Sequence, residues 1–360
     1  MIGKDYNYIK KRWQQFWDKE NHDRPILMIL AKKDIQKPNN LIAPKNSADC
    51  WLDFDYVLKK EYLNLENTYF GGEAFPAIYP NLGPDILPAI CGGCEIKFGT
   101  DTSWAVHKID DLSTMPPIKF DEENIWFKRI KELTQKAIDQ ANGEYLVGIT
   151  DLHTGADALS AFRGPANLCM DMYDYPELFK QKIDEIFEVH KTVITELGTI
   201  IKEKQEGLTN WLGIWHPKND WYLTSCDFGG LISTKDFDEF IIKGLEDELN
   251  FINGSIYHLD GPGNLKHLDR LLKLPKLNGI QWCQGISSPP AREYLDVYKK
   301  IQVAGKCMQI YADPEDMEPL CWALEPEGVN ICINAKNEAQ ANELIALCDK
   351  IYKKKNSKRF

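Results

Sequence analysis

Arginine is scarce in this chain of 360 residues, because only seven of its 43 basic residues are arginine. Arginine is the side chain that best holds a carboxylate with two parallel hydrogen bonds. A pocket built for a molecule with many carboxylates is therefore not expected here.

Positive charge is also lacking, since the formal net charge is −11. Nucleic-acid binding recruits basic surfaces, so this balance argues against a nucleic-acid partner. The one basic run, "KKKNSKRF", closes the chain, and its end (356–360) is interpreted as a solvated basic tail. No apolar stretch of about 18 residues occurs, and the N-terminus lacks the apolar core of a signal peptide. We expect a soluble, cytoplasmic protein with no membrane partner.

Two motifs that would carry chemistry are absent or incomplete. No G-x-G-x-x-G follows a strand-like run, which argues against a doubly wound open sheet. "CGGC", with Cys91 and Cys94, is the only C-x-x-C, whereas a four-cysteine zinc site needs a second pair. The ten cysteines are interpreted as reduced thiols, most of them small core residues.

What the chain does have is a regular alternation of strand-like and helix-like segments. Pairs of this kind predict βαβ units, and eight of them predict an α/β fold with a single (β/α)8 TIM barrel over 25–355. A helical extension precedes it (1–24), and an insertion follows the second strand. A doubly wound open sheet is the alternative. The eight apolar runs are 25–30, 74–79, 145–150, 211–215, 255–259, 279–283, 307–312 and 329–334.

The segment "YHLDGPGNL" places His258 and Asp260 on one face of a strand, just before a glycine turn. Histidine is a common metal ligand and general acid or base, and the aspartate could share the metal or orient the ring. The structural alternative is a hydrogen-bonded histidine followed by an aspartate that caps a helix.

A second segment, "DLHTGADALSAFRG", repeats the arrangement with Asp151 and His153. Arg163, twelve residues after Asp151, either holds a substrate carboxylate or forms a structural ion pair with Asp157 or Asp171.

Aromatic and polar residues follow several of the predicted strands, where a barrel forms its active site. They either line a pocket for a planar ligand or pack in the core. The predicted substrate-binding residues are Trp215, His216, Tyr222, Asp227, Trp282, Gln284, Arg163 and Tyr311. Three cysteines in the last strands, Cys283, Cys307 and Cys332, either ligate zinc or pack in the core.

Four stretches carry a resemblance to the uroporphyrinogen decarboxylase superfamily, which includes cobalamin-dependent methyltransferases. They are "RPILMI", "CDFGGLISTKDFDEF", "IYHLDGPGNLKHLDRLLKLPKLNGIQW" and "GVNICINAKNEAQANELI". The resemblance implies a barrel with its pocket at the carboxyl ends of the strands. It also implies a zinc site of His-x-Cys type with a later cysteine. Here Asp260 stands in the cysteine position, so the predicted metal ligands are His258, Asp260 and Cys332.

The resemblance favours a corrinoid-linked methyltransferase that moves a methyl group between a small substrate and a corrinoid (cobalamin) carried by a partner protein. The predicted catalytic residues are His258, Asp260, Asp151 and His153, with Asp227 orienting the substrate. One alternative is a decarboxylase or related lyase that grips carboxylates with Arg163. The segment after strand one, "LAKKD", lacks the arginine cluster of the decarboxylase itself. The other alternative is a non-catalytic barrel that binds a ligand or a corrinoid protein.

Overall fold

A parallel sheet lies at the centre of the computed structural model, which describes residues 4–285 and 287–357. Its strands are short, and most of their residues are buried on both faces, as in sheets covered by helices. The strands are β1 Ile26–Lys32, β2 Thr68–Gly72, β3 Ala77–Ile78, β4 Cys94–Phe98, β5 Ser103–His107, β6 Leu146–Ile149, β7 Thr209–Asn210, β8 Trp221–Ser225, β9 Gly254–Asp260, β10 Gly279–Cys283, β11 Cys307–Ala312 and β12 Val329–Asn334.

Helices lie between most of these strands. A π-helical turn (Phe237–Ile241) joins α9 to α10, and short 3-10 helices follow several strands. The α-helices are α1 Tyr6–Asp18, α2 Asp49–Leu52, α3 Phe54–Asn67, α4 Ile86–Ile90, α5 Ile125–Ala141, α6 Gly155–Arg163, α7 Pro165–Asp174, α8 Pro176–Lys202, α9 Thr234–Asp236, α10 Ile242–Phe251, α11 Leu268–Leu271, α12 Leu295–Val303, α13 Met317–Ala323 and α14 Glu338–Asn356. None of the helices in the described ranges is long and apolar enough to cross a membrane.

The strand order confirms an α/β fold with a parallel sheet. The main sheet runs β2-β1-β12-β11-β10-β9-β8, in which only the β1–β2 pair is antiparallel. The first strand therefore lies beside the last, an order that suits a barrel better than the doubly wound alternative. β3, β6 and β7 form a separate parallel sheet, and β4 pairs with β5. Hydrogen bonding does not close the ring over the described residues, so the complete eight-stranded barrel stays a prediction.

The predicted strand at 211–215 is wrong. The nearest strands are β7 (Thr209–Asn210) and β8 (Trp221–Ser225). Residues 211–215 form a reversing loop between Leu208 and His216, which exchange backbone hydrogen bonds of 2.9 Å. Gly213 permits the reversal because its φ is +71°, and a Cβ there would lie 2.6 Å from the Met28 side chain. This loop, the inserted loop (211–215), reaches the inner face of the sheet. Of the predicted strand 74–79, only Ala77–Ile78 is a strand.

The N-terminal extension is anchored firmly beneath the sheet. Its helix α1 is capped by Asp5 and buries Ile9, Trp13 and Phe16. Next to it the fully buried Glu73 accepts hydrogen bonds from Arg24 at 2.7 and 2.8 Å. Residues 79–145 separate β3 from β6 and contain the β4–β5 hairpin, in the region where the sequence predicts an insertion after the second strand. The domain boundaries at 24 and 355 stay predictions, and the basic tail lies outside the described residues from 358 onward.

Candidate functional site

Three side chains of types that commonly bind metals meet at the carboxyl ends of β9 and β10. His258 and Asp260 share one face of β9, and Cys283 pairs directly with Asp260 across the two strands. One ligand atom from each of these three residues, which we call the trio, lies within 4.8 Å of the others. Within the described ranges, the trio is the one group of this kind. Two of its members, His258 and Asp260, are among the metal ligands predicted from the sequence.

A row of amide side chains lies beneath the trio, on the inner face of four neighbouring strands. His258, Gln281, Gln309 and Asn330 occupy paired positions on β9 to β12. Nδ1 of His258 contacts Oε1 of Gln281, and Gln281 Nε2 donates to Gln309 Oε1 at 2.5 Å. Gln309 Nε2 donates to Asn330 Oδ1 at 3.0 Å. The three amides are fully buried.

The donor set of the trio fits a zinc ion. Zinc accepts imidazole nitrogen, carboxylate oxygen and thiolate sulfur, and a catalytic site has three protein ligands with one open position. Burial raises the pKa of the Cys283 thiol to about 12, and burial followed by the charge of Asp227 raises the pKa of Asp260. A cation among these groups would favour their ionised forms.

Cys332 is placed apart from the trio, although it was predicted as the third ligand. Its thiol is buried 3.3 Å from Asn330 Oδ1 and 3.7 Å from the sulfur of Met28. It belongs to β12, whereas Cys283 belongs to β10, the neighbour of the His258 strand. The register between strands, which a single sequence does not reveal, brings Cys283 into the site instead.

A cluster of carboxylates lies across from the trio, also at the carboxyl ends of the strands, and we call this end of the fold the mouth. His153 Nε2 is 3.8 Å from Asp151, while Asp157 accepts the backbone N–H groups of Asp227 at 3.0 Å and Phe228 at 2.8 Å. Burial and the charge of Asp227 raise the pKa of Asp157 to about 6. Burial alone would lower the pKa of His153, but the carboxylates, led by Asp151, raise it. The pKa of Asp151 is raised by burial.

Two cavities open on the two sides of the mouth. The larger, of about 520 Å³, is mostly apolar, and its lining includes Trp211, Gln284, Tyr311 and Cys332. The smaller, of about 440 Å³, is lined by Asp85, His107, His153, Asp157 and Asp227 among others. We call them the apolar cavity and the acidic cavity. Trp211 contacts His258 edge-to-face at 5.1 Å between ring centres, so this side chain of the cavity lining separates the apolar cavity from the trio.

Several predicted substrate-binding residues lie away from both cavities, which corrects their assignment. Trp215 and His216 are buried at the α1 side, where His216 packs 4.7 Å from Trp17. Tyr222 donates to the Thr150 carbonyl at 2.6 Å, and Trp282 packs against Tyr294. These side chains are core residues, because the strand alternation turns Tyr222 and Trp282 away from the face that carries His258.

Arg163 is also engaged elsewhere. Its guanidinium forms two hydrogen bonds to Asp171, at 2.6 and 3.0 Å, and both side chains are buried. Of the two alternatives that the sequence left open, the structural ion pair is the observed one. In the "CGGC" segment, burial raises the pKa of both thiols, which disfavours the reactive thiolate form.

Sequence reasoning missed the contribution of the inserted loop. Trp211 contacts His258, and the Leu212 carbonyl accepts a hydrogen bond of 3.0 Å from Gln309. The apolar run "WLGIW" indicated a strand, whereas the glycine within it was the signal for a turn.

Comparison with known proteins gives a similar fold but no family. No protein-family model matches the chain, and no curated protein matches it. Among solved structures, the chain is similar to a methyltransferase from Methanosarcina mazei, with a TM-score of 0.63 and 14% sequence identity. The match covers 96% of this chain and 99% of that one. At this identity the likeness shows a shared fold.

Proposed function

We propose that the protein is a corrinoid-linked methyltransferase related to the uroporphyrinogen decarboxylase superfamily. It would move a methyl group between a small substrate and a corrinoid carried by a partner protein. The observation that carries the proposal is the trio, His258, Asp260 and Cys283, at the strand ends beside an apolar cavity of about 520 Å³. The shared fold with a methyltransferase adds support at the level of architecture.

The chemical problem in such a reaction is the leaving group. A methyl group on oxygen, nitrogen or sulfur departs slowly because the atom left behind is strongly basic. An acid or a Lewis acid placed at that atom lowers the barrier. His258, Asp260 and Cys283 would hold a zinc ion, which supplies Lewis acidity at the leaving or accepting atom when it is bound. Without a metal, the protonated form of Asp260 would be the local acid.

The side chains around the trio would position the substrate. Trp211, Tyr311 and Gln284 line the apolar cavity, so two aromatic side chains and an amide are available there. Asp151 lies on the opposite side, and its Oδ1 is buried with no hydrogen-bond partner among the described residues. A buried acceptor of this kind favours a substrate that brings a donor. We infer that Asp151, with His153 and Asp227, orients the substrate.

The decarboxylase alternative has less support. It needs a cation to grip carboxylates, but Arg163 is bound to Asp171, and the acidic cavity next to it is lined by carboxylates. In the "LAKKD" segment Lys33 donates to the Glu66 carbonyl at 2.7 Å.

The ten free cysteines of the described ranges suit a reducing compartment, which favours the cytoplasm.

Metal content and methyl transfer test the proposal together. We would measure zinc in the protein purified without chelators or an affinity metal, beside His258→Ala. His22→Ala, whose side chain is 69% exposed in an ion pair with Glu327, is the matched control. We expect about one zinc per chain in the wild type and the control, and none in His258→Ala.

Transfer would be followed by the absorbance of free cob(I)alamin, mixed with methyl ethers, methylamines and methyl thioethers. Methylation that needs His258 supports the proposal. Tight binding of a corrinoid without any turnover would favour the non-catalytic alternative, and release of carbon dioxide from a carboxylated substrate would favour the decarboxylase.

A further inference from the structure

We propose that three buried amides, Gln281, Gln309 and Asn330, fix the tautomer of His258. In this arrangement, which we call the amide row, Nδ1 of the imidazole carries the proton and Nε2 keeps its lone pair. The inference deepens the proposed function, because Nε2 is then the atom free to hold a metal. It concerns a neutral ring and hydrogen-bond direction, so it can be tested without any methyl transfer.

The direction of the row is set at its far end by two backbone carbonyls, which can only accept hydrogen bonds. The Ile26 carbonyl lies 3.2 Å from the Asn330 amide, and the Leu212 carbonyl lies 3.0 Å from the Gln309 amide. The NH2 groups of both side chains must therefore face these carbonyls. Their two oxygens are then fixed as well, since each amide has only one.

From Gln309 the direction passes to the histidine. Oε1 of Gln309 accepts from Nε2 of Gln281 at 2.5 Å, so the remaining Gln281 oxygen faces His258. That oxygen contacts Nδ1 of the imidazole. Two facing acceptors would repel each other, hence the proton lies on Nδ1. Each assignment follows from the one before it, and none depends on a choice of amide orientation.

Rigid surroundings keep the row from rearranging. Its four side chains project from neighbouring parallel strands at paired positions, and the three amides have no exposed surface. Trp211 packs edge-on against the His258 ring. Leu212, which supplies the terminal carbonyl, lies on the inserted loop and lines the apolar cavity. The cavity wall and the imidazole therefore belong to one hydrogen-bonded chain, and the amides are positioning residues.

Nuclear magnetic resonance of histidine-labelled protein reads the tautomer directly. The ring ¹⁵N shifts would be recorded at about pH 8.5, roughly two units above the ordinary imidazole pKa. The His258 signals are those that vanish in His258→Ala. We expect the Nδ1–H form to dominate in the wild type by about tenfold or more, as a well-made buried hydrogen bond allows.

Gln281→Met removes the acceptor while keeping a side chain of similar length. Gln205→Met is the control, because Gln205 also makes two hydrogen bonds, which are partly buried, to the backbone of Val147 but lies outside the row. We expect Gln281→Met to lose the preference and Gln205→Met to keep it. Titration with zinc alone should show about 10- to 100-fold weaker binding for Gln281→Met, the usual effect of losing a ligand's hydrogen-bond partner.

Two results would overturn the inference: a wild-type His258 protonated on Nε2, or an unchanged tautomer in a folded Gln281→Met. If Gln281→Met fails to fold, Gln309→Met tests the same row one step further away, and the wild-type shift still decides the direction. A fixed Nδ1–H tautomer in a protein that binds no zinc would support the amide row and contradict the metal site, which separates the two proposals.

Discussion

His258 and His153 lie at the same mouth, each two residues from an aspartate, but their surroundings are opposite. His258 is held by a neutral glutamine in a row of buried amides. His153 lies among carboxylates that raise its pKa, the nearest being Asp151 at 3.8 Å. A neutral imidazole donates a lone pair, whereas a charged one donates hydrogen bonds only. Two segments with the same spacing therefore offer different chemistry.

The difference comes from residues elsewhere in the chain. His258 contacts Gln281 on β10, which is bonded to Gln309 on β11, whereas Asp157 on α6 and Asp227 after β8 join Asp151 in surrounding His153. Under the proposed function, the His258 side would hold the metal and the His153 side would orient the substrate.

The largest expected effect separates the two histidines. His258→Ala should lower methyl transfer by about 10²-fold or more, because a group that acts in the transition state is lost. His153→Ala should lower it by roughly tenfold and leave the zinc content unchanged. Rates with saturating substrate and zinc analysis of both variants check this, with His22→Ala as the control. His258→Ala within about threefold of the wild-type rate would contradict our assignment.

The second prediction separates two cysteines of the mouth. Cys283→Ser removes a thiol of the trio and should weaken zinc binding by about 10- to 100-fold, since serine is a poor zinc ligand. Cys332→Ser should leave the affinity nearly unchanged, because that thiol contacts Asn330 and Met28 instead. Competition with a chromophoric chelator measures both affinities. The opposite order would restore Cys332 as the ligand.

The third prediction concerns the acidic cavity and its pH dependence. The pKa of Asp157, raised to about 6, means that the native state holds a proton more tightly than the unfolded chain. Its contribution to stability is therefore largest at low pH and is lost as pH rises from about 4 to about 6. Asp157→Asn lacks this loss, so its stability relative to the wild type should improve by roughly 1 to 2 kcal/mol between about pH 4 and pH 7.

Denaturant unfolding at both pH values measures that difference. Asp238→Asn is the control, because Asp238 lies on the surface in an ion pair with Arg270. A relative stability of Asp157→Asn that stays constant with pH would show that folding does not raise the pKa of Asp157.

Much of the C-terminal half of the fold could be predicted from the sequence. The strands at 279–283, 307–312 and 329–334 have the predicted bounds, because buried parallel strands form short apolar runs between capped helices. The N-terminal half was harder. β3 and β7 have two residues each, too few for a pattern, and "WLGIW" has the composition of a strand but lies in a loop closed by contacts to β1 and β11.

The candidate site shows the same limit. Spacing along β9 placed His258 and Asp260 on one face, since that depends only on strand geometry. The choice of Cys283 over Cys332, and of Gln281 as the histidine's partner, depends on the register between strands. From the sequence, Arg163 was a candidate for binding a substrate carboxylate, but the turn from α6 into α7 brings Asp171 into contact with it. Those contacts are tertiary, and one sequence does not contain them.

The smallest expected effect tests whether the two sides of the mouth are linked through Trp211. Its ring contacts His258, while its indole N–H lies near the Asp151 carboxylate and favours the charged form, without a well-formed hydrogen bond. Trp211→Phe keeps the aromatic contact and removes the N–H. We expect a loss of about threefold in methyl transfer, with the zinc content intact. Trp211→Leu, which also removes the ring, should lose more. A wild-type rate in Trp211→Phe, with a loss only in Trp211→Leu, would mean that packing against His258 is the whole contribution of Trp211, and that its N–H does not couple the acidic side to the metal side.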